Sequence, residues 1–364
     1  MQINSIHFYV TDARKTSNWL LNRLGFQLVD VVRDDNCLTV AIAKGAIFLI
    51  FSSPLNNSGV VARYLDSHAE GIVDLSFRVH NLNLIKDRAN YYNIKVLQNI
   101  QQQGSIGYSC LAGWQDLQHT LIEATSPNNC YRLPNGKIRI FQANYANYKL
   151  LKNALTFDII DHIVLNVAQK KLSQAVTYYQ NLFNFKIQQT FQIKTQRSGL
   201  YSQALIDTTG SIQFNINEPT TDNSQIQEFI DLNGGAGIQH LALRSSNLIQ
   251  DVAKMQLLGV PFLPIPSAYY THLQQRLNRD LIQLSLRELQ SITERAILVD
   301  WHQHKPKSLL MQIFTQPILE KPTFFLEFIE RRRKAIGFGE GNFQALFAAV
   351  EQSAIEKEKL IIDN

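Results

Sequence analysis

The chain predicts an α+β protein of two domains, each made of paired βαβββ modules that form one open, curved sheet. Length is the first reason: 364 residues correspond to about two domains at ~150 residues each. The second is a repeated strand–helix–strand pattern: "SIHFYVTDARKTSNWLLNRLGFQLVD", from Ser5, is similar to "DHIVLNVAQKKLSQAVTYYQNLFNFKIQQ", from Asp161. The third is another such pair, in which "GIVDLSFRVHNLNLIKDRANYYNIKVL", from Gly71, parallels "GIQHLALRSSNLIQDVAKMQLLGVPFL", from Gly237. Each half therefore holds two modules.

Taken in order, the first module is a strand around His7, a helix carrying Trp19, Leu20 and Leu24 on one face, and a turn at Gly25-Phe26. The second runs from Gly71 through a strand, a short helix and a strand. The stretch "SPNNCYRLPNGK" and the "NYANYKLLKN" beyond it are turn-rich and aperiodic. They predict a boundary near residue 150, giving domains 1–150 and 151–364. The second half repeats the order. Its first helix places Ala175, Val176, Tyr179, Leu182 and Phe183 at helical spacing and ends at Asn184-Phe185. Strand, helix and strand follow from Gly237, and "PTFFLEFIERR" reads as an aromatic strand. "GFGEGN" lacks the lysine and the preceding strand of a phosphate loop. It reads as a hinge before a helix spanning about residues 342–351.

Composition excludes several classes. The chain is 45% hydrophobic and 18% charged, with a net charge of +5, which is ordinary for a globular protein. The dense basic run, Arg331 to Lys334, reads as a solvated face or a helix start, and no basic stripe with interleaved aromatics accompanies it, so no nucleic-acid partner is expected. Three separated cysteines, Cys37, Cys110 and Cys130, argue for a reducing, cytoplasmic setting and against a thiolate metal site. No signal peptide is expected from "MQINSIHFYV". No membrane partner is expected either, because the apolar run "VAIAKGAIFLIF" is interrupted by Lys44 and is too short to span a bilayer.

Three residues interrupt strands that could be wholly apolar. His162 and His240 each sit in the first strand of a module, and Glu327 lies among aromatics. A strand histidine by itself is ordinarily a hydrogen-bonded core residue, and a lone glutamate an edge residue. A buried carboxylate is costly unless it meets a cation. The repeat makes these strands neighbours, and two imidazoles with one carboxylate on one face suit non-haem Fe(II) and oxygen chemistry. In the first half His7 is taken to match His162, Asp74 stands for His240, and Glu123 is taken to match Glu327. That half is read as a scaffold with a degenerate His/Asp/Glu site. His302 and His304, in a Lys/Pro-rich loop, read as solvent-exposed, and His68, His80, His119 and His272 have no partner motif.

The motifs "DHIVLNV", "SGLYSQAL", "INEP", "SQIQ", "GAGIQHLAL", "LLMQIFTQP", "FFLEFIERR" and "GFGEGNFQALFAAVE" lie in that order from about residue 150 to 351. In them the second half resembles the 4-hydroxyphenylpyruvate dioxygenase family of the vicinal oxygen chelate superfamily. The resemblance implies a glyoxalase/bleomycin resistance/dihydroxybiphenyl dioxygenase-like fold. It implies Fe(II) held by His162, His240 and Glu327. Ser202, Asn217, Gln225, Gln239 and Gln312 would supply a polar lining around the substrate, as neutral amides and a hydroxyl that place no fixed charge by the metal. Phe314, Phe338, Phe343 and Phe347 would wall an aromatic ring, with Leu298 nearby and the C-terminal helix as a lid.

The implied reaction is oxidative decarboxylation of 4-hydroxyphenylpyruvate by O2, with ring hydroxylation and a side-chain shift to homogentisate, in a homo-oligomer (dimer or tetramer). One departure stands at Asn215, where the family pattern before "INEP" usually has proline. The nearest alternative is 4-hydroxymandelate synthase, which hydroxylates the benzylic carbon of the same substrate; the large aromatic Phe314 favours ring hydroxylation. An extradiol dioxygenase and a non-catalytic binding module are the alternatives from other classes.

Overall fold

A computed structural model describes residues 1–124, 129–141, 155–194, 199–302 and 308–343. The first half contributes strands β1 (Gln2–Tyr9), β2 (Gln27–Arg33), β3 (Cys37–Lys44), β4 (Ile47–Pro54), β5 (Gly71–Arg78), β6 (Val96–Gln103), β7 (Ile106–Ala112) and β8 (Gln118–Ala124). Its helices are α1 (Ala13–Leu24), α2 (Val60–Leu65) and α3 (Leu82–Tyr91). A two-stranded hairpin follows, β9 (Asn129–Arg132) and β10 (Ile138–Phe141). The second half runs β11 (Ile159–Asn166), α4 (Leu172–Phe183), β12 (Lys186–Lys194), β13 (Gly199–Ile206), β14 (Gln213–Pro219), α5 (Gln225–Asn233), β15 (Gly237–Arg244) and α6 (Leu248–Leu257). It continues with α7 (Ser267–Arg279), α8 (Leu286–Glu294), β16 (Leu298–Trp301), β17 (Leu309–Phe314) and β18 (Phe325–Arg331).

The expected α+β architecture of paired βαβββ modules is present. The two eight-stranded sheets have the same strand order, β2-β3-β4-β1-β5-β8-β7-β6 and β12-β13-β14-β11-β15-β18-β17-β16. In each, two modules meet through one antiparallel central pair, β1–β5 or β11–β15. Local chemistry explains the first helix of each half. Asp12 caps α1 by accepting from the Arg14 and Lys15 N–H groups, and Gly25 ends it in the left-handed region. The α4 stripe Ala175, Val176, Tyr179, Leu182 and Phe183 is buried as its spacing predicts, and Asn184 closes the helix at φ 58. This stripe faces the first half as well. His119 Nε2 lies 3.2 Å from Tyr179 Oη, and the Tyr178 hydroxyl donates to the Ala112 carbonyl. One continuous apolar core runs through both halves.

Three expectations are corrected. The segment read as an aperiodic boundary contains the β9–β10 hairpin, whose Tyr131, Leu133, Cys130 and Ile138 pack on the concave face of the first sheet. Strands of four residues around a Pro134–Gly136 turn are too short to show a period. Residues 142–154, which include the predicted boundary, lie outside the described residues. The strand expected after Gly259 does not join the sheet: Phe262 forms an isolated bridge to Thr315, and α7 and α8 intervene before β16. The run from Arg331 is solvated at Arg333 and Lys334 and starts a short 3-10 helix at Arg332, but its first member departs from that reading: the Arg331 side chain is 9% exposed and paired with Asp161.

The degenerate site in the first half is also different from the one expected. Asp74 pairs with His7 where His240 pairs with Val164. His7 therefore occupies the place of Val164, and Ser5 that of His162. Across the parallel pairs, Phe77 faces Leu121 where Leu243 faces Phe328. Thr120 thus takes the place of Glu327, and Glu123 that of Glu330. The two glutamates play the same structural part, since Glu123 accepts from the Leu82 N–H and Glu330 from the Leu248 N–H, each at a helix start. The equivalent positions are Ser5, Asp74 and Thr120, with Asp74 hydrogen-bonded to the Thr120 N–H and hydroxyl.

Candidate metal centre

Three adjacent strands put His162, His240 and Glu327 on one concave face. Ala242 on β15 lies opposite His162 on β11 and opposite Glu327 on β18. Its methyl group leaves space between the two flanking ligands, and His240 stands two residues along the same strand and face. Glu327 Oε2 lies 3.3 Å from His162 Nε2 and 3.5 Å from His240 Nε2. Among the described residues these ligand atoms form a group within 4.8 Å of one another. Donors ~2.0–2.2 Å from a shared ion fit such spacing after small adjustments, so the residues fit a metal.

Two β-bulges aim this site. Register shifts place Asp161 and Gln239 as extra residues in the β11–β15 pair. In a regular strand Asp161 and His162 would point to opposite faces. At the bulge both turn to the concave side, and Asp161 Oδ1 accepts from His162 Nδ1 at 3.0 Å. That bond fixes the tautomer that leaves Nε2 facing Glu327. Asp161 is in turn gripped by Arg331, at 2.7 and 2.8 Å, and by Arg244 at 2.7 Å. On the other flank, Gln312 Nε2 donates to Glu327 Oε1 and to the Phe338 carbonyl, each at 2.9 Å. The His240 ring is stacked on Phe325 with centroids 4.7 Å apart.

The charges agree with this geometry. Burial works against ionisation of His162, but Glu327 and Asp161 outweigh it and raise the imidazole to about 9. Burial likewise opposes the Glu327 carboxylate, yet His162 and His240 hold it down at about 2. Burial lowers His240. A cation entering the site would displace the His162 proton and take over its pairing with Glu327.

The ligands floor a narrow cavity of about 30 Å³, far below the ~300–1,000 Å³ of ordinary ligand pockets. Phe314, Phe338, Phe343, Asn215 and Asn217 line it, as do Phe191, Ile193, Leu200 and Val164, which sequence reasoning missed. Phe343 is stacked on Phe191 at 5.4 Å within that lining. Among the buried polar atoms of the described residues without a partner, four belong to the strands of this site: Ser202 Oγ, Asn215 Oδ1, Asn166 Nδ2 and His240 Nδ1.

The other expected residues fall outside this lining. Ser202 lies opposite Asn217 on the same face as Leu200. Gln239 is the half-buried bulge residue beside His240. Gln225 begins α5, Leu298 is wholly buried in the main core opposite Gln312, and Gln312 stands behind Glu327. Residues 340–343 begin a helix; Phe347 and the rest of the expected lid lie outside the described residues. Asp161, Arg244 and Arg331 were missed as supports. The adjacent Asp-His pair and the Arg run were the available signals, but their meeting depends on the bulge and on strand order. His302 is exposed, and His304 lies outside the described residues.

Comparison with known proteins places this geometry among relatives. Residues 159–280 match the Glyoxalase/Bleomycin resistance protein/Dioxygenase superfamily. The chain is 32% identical to 4-hydroxyphenylpyruvate dioxygenase of Xenopus tropicalis over 378 aligned positions, covering 100% of this chain and 93% of the relative. It is 29% identical to the protein of the same name from Dictyostelium discoideum, covering 95% and 96%. Among solved structures, a mutant of 4-hydroxymandelate synthase from Streptomyces coelicolor superposes with a TM-score of 0.82 at 24% identity, covering 97% of this chain and 98% of that one. At that identity the likeness is one of fold.

Proposed function

The chain belongs to the 4-hydroxyphenylpyruvate dioxygenase family, and from that premise we propose that it converts 4-hydroxyphenylpyruvate and O2 to homogentisate and CO2 at an Fe(II) centre. The observation that carries this reading is the convergence of two imidazole nitrogens and one carboxylate oxygen at the floor of an aromatic-walled cavity. His162, His240 and Glu327 would hold the metal. An Fe(II) ion there supplies the O2 chemistry that amino-acid side chains lack.

The protein's own part is placement and exclusion. Phe314, Phe338 and Phe343 offer apolar walls to a ring, while Asn215 and Asn217 offer neutral polar atoms to a phenol or a 2-oxo acid. Asp161 and Gln312 hold the ligating groups at fixed angles. The Phe191–Phe343 stack keeps bulk water from the reacting atoms. The small cavity means that this stack parts when substrate enters.

In this reading residues 1–150 are a scaffold domain and 151–364 the catalytic domain, supported by the two separate sheets. The three cysteines are free and buried, which supports a cytoplasmic setting. Among the described residues no helix is long and apolar enough to cross a membrane. Assembly as a dimer or tetramer rests on the family alone.

Purified protein with Fe(II), ascorbate and 4-hydroxyphenylpyruvate should yield homogentisate on chromatography. Hydroxymandelate would instead support benzylic hydroxylation, the reading favoured by Asn215, a polar group on the cavity wall where the family pattern carries proline. No turnover of any 2-oxo acid would overturn both. Glu327→Ala should abolish oxygen uptake; ligand binding that persists unchanged, with no turnover by the parent protein, would indicate a binding module.

A further inference from the structure

A second cavity, wider than the one over the metal-centre residues, lies in the first half. It has a volume of about 440 Å³, inside the usual range for small-molecule sites. The β9–β10 hairpin, the β2–β3 turn and the start of α2 surround it, through Leu97, Gln98, Arg132, Pro134, Asn36 and Val60 among others.

Arg132 is its chemical centre. The hairpin carries this half-buried side chain over the first sheet, the face that in the second sheet bears the metal ligands. Its guanidinium donates to two neutral amide oxygens, Gln98 Oε1 at 2.9 Å and Gln118 Oε1 at 3.2 Å. Among the described residues no carboxylate lies within ion-pair distance of it. Asp74, on the sheet below, is occupied by Thr120. Burial raises the Asp74 carboxyl and the Arg132 charge opposes this across the gap, but among the described residues no carboxylate touches the guanidinium, and its spare N–H groups make it an anion-binding group. Where the second half has three ligands for a cation, the first half has a built-in cation.

The remaining wall sets the ligand class. Arg63 adds a second positive charge, while Asp34 adds one negative charge, with its oxygens taken up by the Asn36 and Cys37 N–H groups and Asn135. That balance suits a monoanion better than a dianion. Val60, Val61, Leu97 and Pro134 supply apolar surface. We propose that the first-half cavity binds a small organic monocarboxylate, with the carboxylate on Arg132 and the apolar part against Val60 and Val61.

The test uses phenylacetate as probe and phenylacetamide as its neutral counterpart, in calorimetric titration of the full chain. The acid should bind and the amide should bind at least tenfold more weakly. Glu327→Ala, which alters the other half, should leave phenylacetate affinity unchanged. Arg132→Gln should weaken it at least tenfold. Should Arg132→Gln fail to fold, Val60→Trp fills the cavity without touching the guanidinium, and should remove binding too. The proposal is overturned by equal affinity for acid and amide, by full affinity in a folded Arg132→Gln or Val60→Trp protein, by loss of binding in Glu327→Ala, or by no binding to the parent chain.

Discussion

Gln312 holds Glu327 from behind, with its Nε2 2.9 Å from Glu327 Oε1. Its other contacts reach the segment that closes the cavity: it donates to the Phe338 carbonyl and accepts from Asn342 Nδ2, each at 2.9 Å. A single amide therefore ties the Glu327 carboxylate of the candidate metal centre to the segment around Phe338 and Asn342.

Gln312→Leu removes that link. Metal affinity should fall ~10–100-fold, the usual cost of losing a group that orients a ligand, measured by competition with a chelator of known affinity. Gly339→Ala should act in the same direction without touching a ligand. A Cβ there would meet Gln312 Oε1 at 1.8 Å, on a backbone at φ +78. Unchanged affinity in both variants would show that Glu327 is held by other contacts.

Asp161→Ala should destabilise the fold by about 3–5 kcal/mol, because it leaves the buried Arg331 guanidinium without its partner. Burial raises the Asp161 carboxyl, but hydrogen bonds from Arg331 and His162 overcome this and hold it well below the ordinary range. A depressed folded-state pKa stabilises above the unfolded value and loses that effect as pH falls below about 4. Urea unfolding at pH 7 should show the full difference between parent and variant. A loss under about 1 kcal/mol would mean that the network behaves like a surface pair.

His119 should make stability fall with acid. Burial lowers it to about 4, so the folded state stays neutral where the unfolded chain, at about 6.5, takes up a proton. Stability is then lost as pH drops from about 6.5 toward 4, at up to ~1.4 kcal/mol per pH unit. His119→Gln should remove about one proton from that slope in urea titrations between pH 7.5 and 5. An unaltered slope would assign the effect to other groups, such as His7, which burial lowers to about 3.

Tyr269→Phe tests the anchor of the closing segment. The Tyr269 hydroxyl donates to Asn342 Oδ1 at 2.8 Å and accepts from the Val299 N–H at 2.8 Å. Removing it leaves both groups buried and unpaired, a cost of ~1–3 kcal/mol. In the proposed reaction the looser closure should consume more O2 per product formed, read by an oxygen electrode against chromatography. A one-to-one ratio in the variant would separate Tyr269 from closure.

Much of the fold was legible in the sequence because periodicity is local. The α4 stripe, the Gly25 and Asn184 helix ends and the fourfold module pattern all follow from spacing within a few turns of chain. So does the choice of His162, His240 and Glu327, since each breaks an otherwise apolar strand. The His7 and Glu123 matches failed because a short apolar strand can be aligned in more than one register by similarity alone; both central pairs carry their bulges at equivalent places, so pairing, not a bulge, exposes the offset. Once strands pair, an offset of two positions puts His7 at the place of Val164, and an offset of three makes Glu123 the counterpart of Glu330.

By itself the sequence singled out the three side chains that the structure groups as a candidate metal centre, and the modules that carry them. Tertiary structure alone decided that Asp161 reaches His162, that Arg331 leaves solvent to hold Asp161, and that the hairpin brings Arg132 over the first sheet. The physical reason is that side-chain facing depends on register across strands far apart in the chain, and one extra residue at a bulge reverses it.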